Sequence, residues 1–114
     1  MSKMSRNKGK RGEREFAGQW NLLMPGTLKR GVQYSGGEDS PDVCGVSGLH
    51  FEVKRVERLM LDAAYKQAVD DCGENVPIVA HRKNRGNWML TFALEDLQEL
   101  VNCIQKAQRE EDCG

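Results

Sequence analysis

The sequence predicts a mixed α/β (α+β) domain, a central mixed β-sheet flanked by helices, with its elements in the order αβββαββα. Three observations predict it. Apolar residues recur at helical spacing in three stretches, giving three amphipathic helices. Between the helices, short runs such as Leu49–Lys54 and Val76–His81 alternate or are wholly apolar, and glycine, proline or serine clusters bound them as strands. A chain of 114 residues makes one domain with a modest core, enough for one sheet and the helices that cover it.

Residues 1–9 read as a basic, flexible arm, 10–110 as a single domain and 111–114 as a frayed acidic tail. The first helix is expected from Gly12 to Met24, with Phe16, Trp20 and Leu23 on one stripe and Pro25-Gly26 ending it. Glu13 lies three residues before Phe16 and seven before Trp20, at the end of that buried stripe. It reads either as a functional carboxylate or as a first-turn acid favoured by the helix dipole. Leu28–Tyr34 is the first strand, followed by the polar loop Gly36–Ser40. Asp42–Cys44 is the second strand, Gly45–Gly48 a turn, and Leu49–Lys54 the third strand, where Phe51 and Val53 alternate with His50, Glu52 and Lys54. A helix is expected over Glu57–Cys72, with Leu61, Ala64, Tyr65, Ala68 and Cys72 inward and Gly73 as its stop. Val76–His81 is a buried strand with Pro77 confined to its start. Arg82–Asn87 is a basic turn, and Trp88–Phe92 is the hairpin partner of the preceding strand. Leu94–Arg109 is the last helix, with Leu97, Leu100, Val101 and Ile104 on one side.

Seventeen basic and seventeen acidic residues cancel, but they are not evenly spread. Residues 1–14 carry six bases against Glu13, a net of +5, whereas residues 95–114 carry six acids and two bases, a net of −4. That asymmetry fits one cationic face and an acidic tail. Cys44, Cys72, Cys103 and Cys113 form no CxxC pair and have no histidine at ligand spacing, which argues against structural zinc and against a disulfide framework. With no signal peptide and no long apolar run, the chain is expected to be soluble and cytoplasmic, with no membrane partner.

The densest chemistry lies in Ser40-Pro41-Asp42 and Glu52-Val53-Lys54. Glu52 and Lys54 share one face of their strand, roughly 7 Å apart. If Val46-Ser47-Gly48 closes a hairpin with Gly48 at positive φ, Cys44 lies opposite His50 and Asp42 opposite Glu52. Directly opposed Cβ atoms stand about 4.5–5.5 Å apart. Two carboxylates at that range repel unless a proton or a cation lies between them, and a divalent cation is the natural occupant. Asp42 and Glu52 are its candidate ligands, the Val53 carbonyl a third, and Glu13 a further one. Such a cation would polarise a phosphodiester and acidify water, and Lys54 would offset charge building on the phosphate. His50 falls on the Glu52 face as a neighbour of the site.

These residues resemble the PD-(D/E)xK nuclease superfamily and, within it, small Holliday junction resolvase-like endonucleases, including those encoded by phages. Gly12-Glu13-Arg14-Glu15-Phe16 resembles the acidic segment of the first helix. Ser40-Pro41-Asp42 and Glu52-Val53-Lys54 resemble the core motif, and Gln67 a polar residue on the following helix. The likeness spans about Lys10 to Leu97 and implies a restriction endonuclease-like core. It implies a Mg²⁺-dependent endodeoxyribonuclease, Mn²⁺ substituting, with Asp42, Glu52 and Glu13 on metal and Lys54 catalytic. It also implies DNA as partner, branched DNA included, and a homodimer that cuts two strands symmetrically.

Lys8, Lys10, Arg11, Arg55, Arg82, Lys83 and Arg85 are the candidate phosphate contacts, though any one of them also reads as a solvated surface residue. Gln67 reads equally as an exposed helix residue, His81 as a structural histidine and Trp88 as core. The competing function is a non-catalytic nucleic-acid-binding or structural module on a nuclease-like fold, and an RNA-processing role is a third. Retention of Asp42, Glu52 and Lys54 together favours the enzyme.

Overall fold

A computed structural model describes residues 2–25, 27, 29–30 and 43–113. Helix α1 (Ser2–Leu23) starts earlier than the expected Gly12. Its buried stripe is Phe16, Ala17 and Trp20, while Leu22 and Leu23 face solvent. Pro25 forbids another helical turn, and Thr27 secures the exit. The Trp20 indole donates to Thr27 Oγ1 at 2.8 Å, and that hydroxyl donates to the Met24 carbonyl at 2.8 Å. Thr27 is thus a fully buried polar residue with its hydrogen-bonding capacity used.

Strands β1 (Lys29–Arg30) and β2 (Val43–Gly45) pair antiparallel as a separate two-stranded sheet. The main sheet has three strands in the order β3-β4-β5, namely Leu49–Arg55, Val76–Arg82 and Met89–Thr91. It is mixed: β3 and β4 run parallel with Glu52 beside Val79, and β4 and β5 form the expected antiparallel hairpin. A parallel pair needs a crossover, which helix α2 (Leu61–Asp71) supplies. A 3₁₀ turn (Leu94–Asp96) leads into helix α3 (Leu97–Cys113).

Two further expectations need correction. The β2–β3 hairpin ladder, with Cys44 opposite His50, is not formed among the described residues; β2 pairs with β1 instead. Gly45 and Gly48 both take positive φ, +84° and +92°, so the backbone bends at each end of the turn. The turn still closes, with Leu49 N donating to Val46 O at 3.0 Å. The second correction concerns α2, which begins at Leu61 and not at Glu57. Val56 N instead extends the sheet by donating to Arg82 O, and the Glu57 carboxylate accepts the backbone N–H of Asn84. Those contacts tie residues 56–57 to the β4–β5 turn and delay the helix.

Alternation on β3 and β4 sorts the layers. Leu49, Phe51, Val53, Ile78 and Ala80 meet α1 and α3 on one face. Phe16 is its centre, with ring centroids 5.1 Å from Phe51 and 5.4 Å from Trp88, and Trp20 lies 5.3 Å from Phe51. Each such tilted aromatic pair contributes about 0.5–1.5 kcal/mol beyond area burial. Trp88 is partly buried and packs against this core. On the opposite face Val79 packs under Ala64 and Ala68 of α2. No described helix is long and apolar enough to cross a membrane.

Candidate functional site

Glu52 and Lys54 lie on the α2 face of β3, because their strand neighbours in register are Val79 and His81. Lys54 Nζ stands 3.7 Å from Glu52 Oε2 and donates to Gln67 Oε1 of α2 at 3.5 Å, a long hydrogen bond. Gln67 thus faces the strand and touches the lysine. Glu52 is held close to the protein body, its side chain only 17% exposed. His50 Nε2 lies 3.4 Å from Glu52 Oε1. Asp71, on the last turn of α2, completes a group: one ligand atom each from His50, Glu52 and Asp71 lies within 4.8 Å of the others.

Why these meet is a matter of direction. Helix α2 runs back against β3, so Gln67 lies over Lys54 and Asp71, four residues on, lies over Glu52 and His50. Residues two apart on the strand are thereby matched to residues one turn apart on the helix. Asp71 was not among the expected site residues.

Asp42 lies outside the described residues. The Val53 side chain points to the α1 face, its Cγ1 near the Gly12 backbone, which leaves only its main chain for any ligand. Glu13 belongs to α1, the helix layered on the face opposite Glu52, and is not a member of the His50–Glu52–Asp71 group.

Glu15 takes the role that sequence reading missed. Its Oε1 accepts from Arg82 and lies 3.2 Å from Arg55 Nε, an ion-pair distance at an angle that gives this buried N–H no aligned acceptor. Arg82 also donates to Gly86 O at 2.9 Å and Asn84 O at 3.1 Å. Arg55 and Arg82 are thereby engaged in tying α1, β3 and the β4–β5 turn together. Lys83, Arg85 and Arg11 are exposed, while Lys8 and Lys10 lie within α1. His81 Nε2 sits 2.9 Å from Thr91 Oγ1, and desolvation by burial lowers its pKa.

An apolar groove of about 560 Å³ opens between α1, β5 and α3, lined by Phe16, Trp20, Trp88, Leu90, Leu100 and Ile104. It lies on the opposite face from Glu52 and offers no convergent charged groups. The His50–Glu52–Asp71 group and Lys54 are on the α2 side.

The donors present suit a divalent cation. Glu52 and Asp71 supply hard oxygens, His50 adds a nitrogen, and Lys54 stands beside them as a fixed positive charge. In comparisons with protein-family models, curated proteins and solved structures, nothing matches the chain.

Proposed function

We propose that this chain is a divalent-cation-dependent DNA endonuclease with a restriction endonuclease-like core, acting on branched DNA as a homodimer. The observation that carries the reading is the contact of Lys54 with both Glu52 and Gln67. A carboxylate and an ammonium two residues apart are common on exposed strands. Here Gln67 of α2 also reaches the ammonium, the placement that the resemblance implies for it.

Glu52, with Asp42 as the second ligand that the resemblance implies, would hold the cation, Mg²⁺ or Mn²⁺, which when bound polarises a phosphodiester and lowers the pKa of water. Lys54 does the rest of the electrostatic work. Its ammonium lies 3.5 Å from Gln67 Oε1 and 3.7 Å from Glu52 Oε2, on the side of the strand where negative charge would build on a phosphate held at Glu52. The partly buried setting of Glu52 strengthens that field relative to open water. Lys83 and Arg85, on the turn that follows β4, supply phosphate contacts near the Lys54 end of the strand pair.

The test is cleavage of a four-way junction, linear duplex and structured RNA in Mg²⁺ or Mn²⁺. Wild type should cut DNA, and Glu52→Gln and Lys54→Ala should each lose about 100-fold or more in rate while retaining DNA binding. Variants that cut as well as wild type would sink the catalytic assignment. DNA binding without any cleavage by wild type would instead favour a non-catalytic module.

A further inference from the structure

We infer that His50, Glu52 and Asp71 form a mixed nitrogen–oxygen cation site that prefers a first-row transition ion to Mg²⁺. This deepens the proposed function, since it rests on Glu52 being a metal ligand. Two independent observations carry it.

The first is geometry. Adjacent donors around a divalent ion with bonds near 2.1 Å stand roughly 3.0–3.5 Å apart, and opposed donors about 4.2 Å. His50 Nε2 and Glu52 Oε1 already stand at 3.4 Å, and the Asp71 carboxylate lies within 4.8 Å of both. His50 and Glu52 are on a sheet strand and Asp71 ends a helix packed over it, so only the exposed Asp71 side chain needs to move inward. Its movement closes a three-donor face and leaves the remaining positions to water or phosphate.

The second is electrostatics. Asp70 and Asp71 occupy the last turn of α2, which holds no basic residue. The C-terminal end of a helix carries partial negative charge, so an acid there is disfavoured by about 0.3–1 kcal/mol. Asp71 is also turned toward a second carboxylate, Glu52. Lys54, the ammonium beside Glu52, also contacts Gln67, one helical turn away from Asp71. A bound cation would offset both repulsions at once.

Ion preference follows from the donors. Mg²⁺ takes oxygen almost exclusively, whereas an imidazole nitrogen suits first-row transition ions. His50 therefore sets selectivity, and Asp71 adds affinity for any divalent ion.

Isothermal calorimetry of the full chain with Mn²⁺, Co²⁺ and Mg²⁺ tests this, alongside pulsed electron paramagnetic resonance of the Mn²⁺ form. Wild type should bind Mn²⁺ and Co²⁺ at least about tenfold more tightly than Mg²⁺. His50→Ala should remove most of that difference, and Asp71→Asn should weaken all three ions about tenfold. The resonance spectrum should carry coupling to one imidazole nitrogen, a readout on wild type that stands even if a variant fails to fold. Absence of that coupling, or wild-type affinities in both variants, overturns the site. If Glu52→Gln alone abolishes binding and Asp71→Asn still cuts DNA normally, the site is wrong and the nuclease reading survives. If the ion binds through His50 and Asp71 but no nucleic acid is cut, the site stands and the nuclease reading fails.

Discussion

His81 shows how a single side chain couples this sheet to pH. It lies on β4 beside Lys54 in register, and its Nε2 is 2.9 Å from Thr91 Oγ1 on β5. Burial disfavours the charged ring, so its pKa is lowered from the ordinary value near 6.5. In the unfolded chain the ring takes its proton at about pH 6.5. The unfolded state therefore binds more protons as the pH falls from there through the lower folded value. The stability His81 confers is fully present above about pH 6.5 and is lost progressively below it. Thermal melts between pH 7.5 and 5 should show a falling Tm, and His81→Gln, which keeps a hydrogen-bonding group without the titration, should flatten that fall. An unchanged slope in the variant would assign the acid sensitivity to other groups. The site was legible in the sequence only as far as local periodicity reaches. Glu52 and Lys54 could be read together because period two needs no knowledge of the rest of the fold. Asp71 could not, because its partner lies across a crossover whose direction emerges only once β3 and β4 are known to be parallel.

Among the elements, the Val46–Gly48 turn is the joint on which α3 rests. Gly48 has φ of +92°, and a Cβ built on it would fall 2.5 Å from Cys103 Sγ. Its carbonyl also accepts the Val76 N–H at 2.9 Å, which ties the turn to the start of β4. Cys103 is buried there, and burial first, then the nearby Glu99 carboxylate, raises its thiol pKa. Gly48→Ala should therefore cost about 1–3 kcal/mol from backbone strain and overpacking together. In a chain of this size that is a Tm drop of at least several degrees. Pairing it with Cys103→Ala should recover the packing share and leave the backbone share, a coupling that a double-mutant cycle measures. Equal Tm values for wild type and Gly48→Ala would mean that the turn relaxes freely. The positive φ at Gly48 was legible from the three-residue loop, but the arrival of α3 against it was not. Nor was the separation of β2 from β3, since the second bend at Gly45 is invisible to alternation. The helices and the β4–β5 hairpin were legible because stripe and turn signals are local. The late start of α2 was not, because Glu57 is held by Asn84, 27 residues away.

Across the whole molecule, the basic residues that looked alike in the sequence divide into two kinds, and under the proposed function this division decides which of them would meet DNA. Arg55 and Arg82 share the Glu15 carboxylate, and Arg82 also braces the β4–β5 turn through Gly86 and Asn84. They join the first helix to the sheet across long sequence separation. Lys83 and Arg85 project from the same turn into solvent. Each phosphate contact releases counterions, so it adds about 0.9 to the magnitude of the slope of log K against log salt on duplex DNA. Lys83→Ala and Arg85→Ala should each reduce that slope by about 1 while leaving Tm within about 1 °C of wild type. Arg82→Ala should lower Tm clearly, because it strands Glu15 with Arg55 alone and releases two backbone carbonyls of the turn. Its salt slope at a temperature where it remains folded should stay close to that of wild type. Fluorescence anisotropy over a range of salt concentrations, with melts on the same samples, separates the two kinds. An Arg82→Ala protein that keeps its Tm and loses a full unit of slope would show that this arginine serves the phosphate backbone and not the fold. The Glu15 network would then be a surface pairing of little weight, and the turn would owe its shape to the β4–β5 hairpin alone.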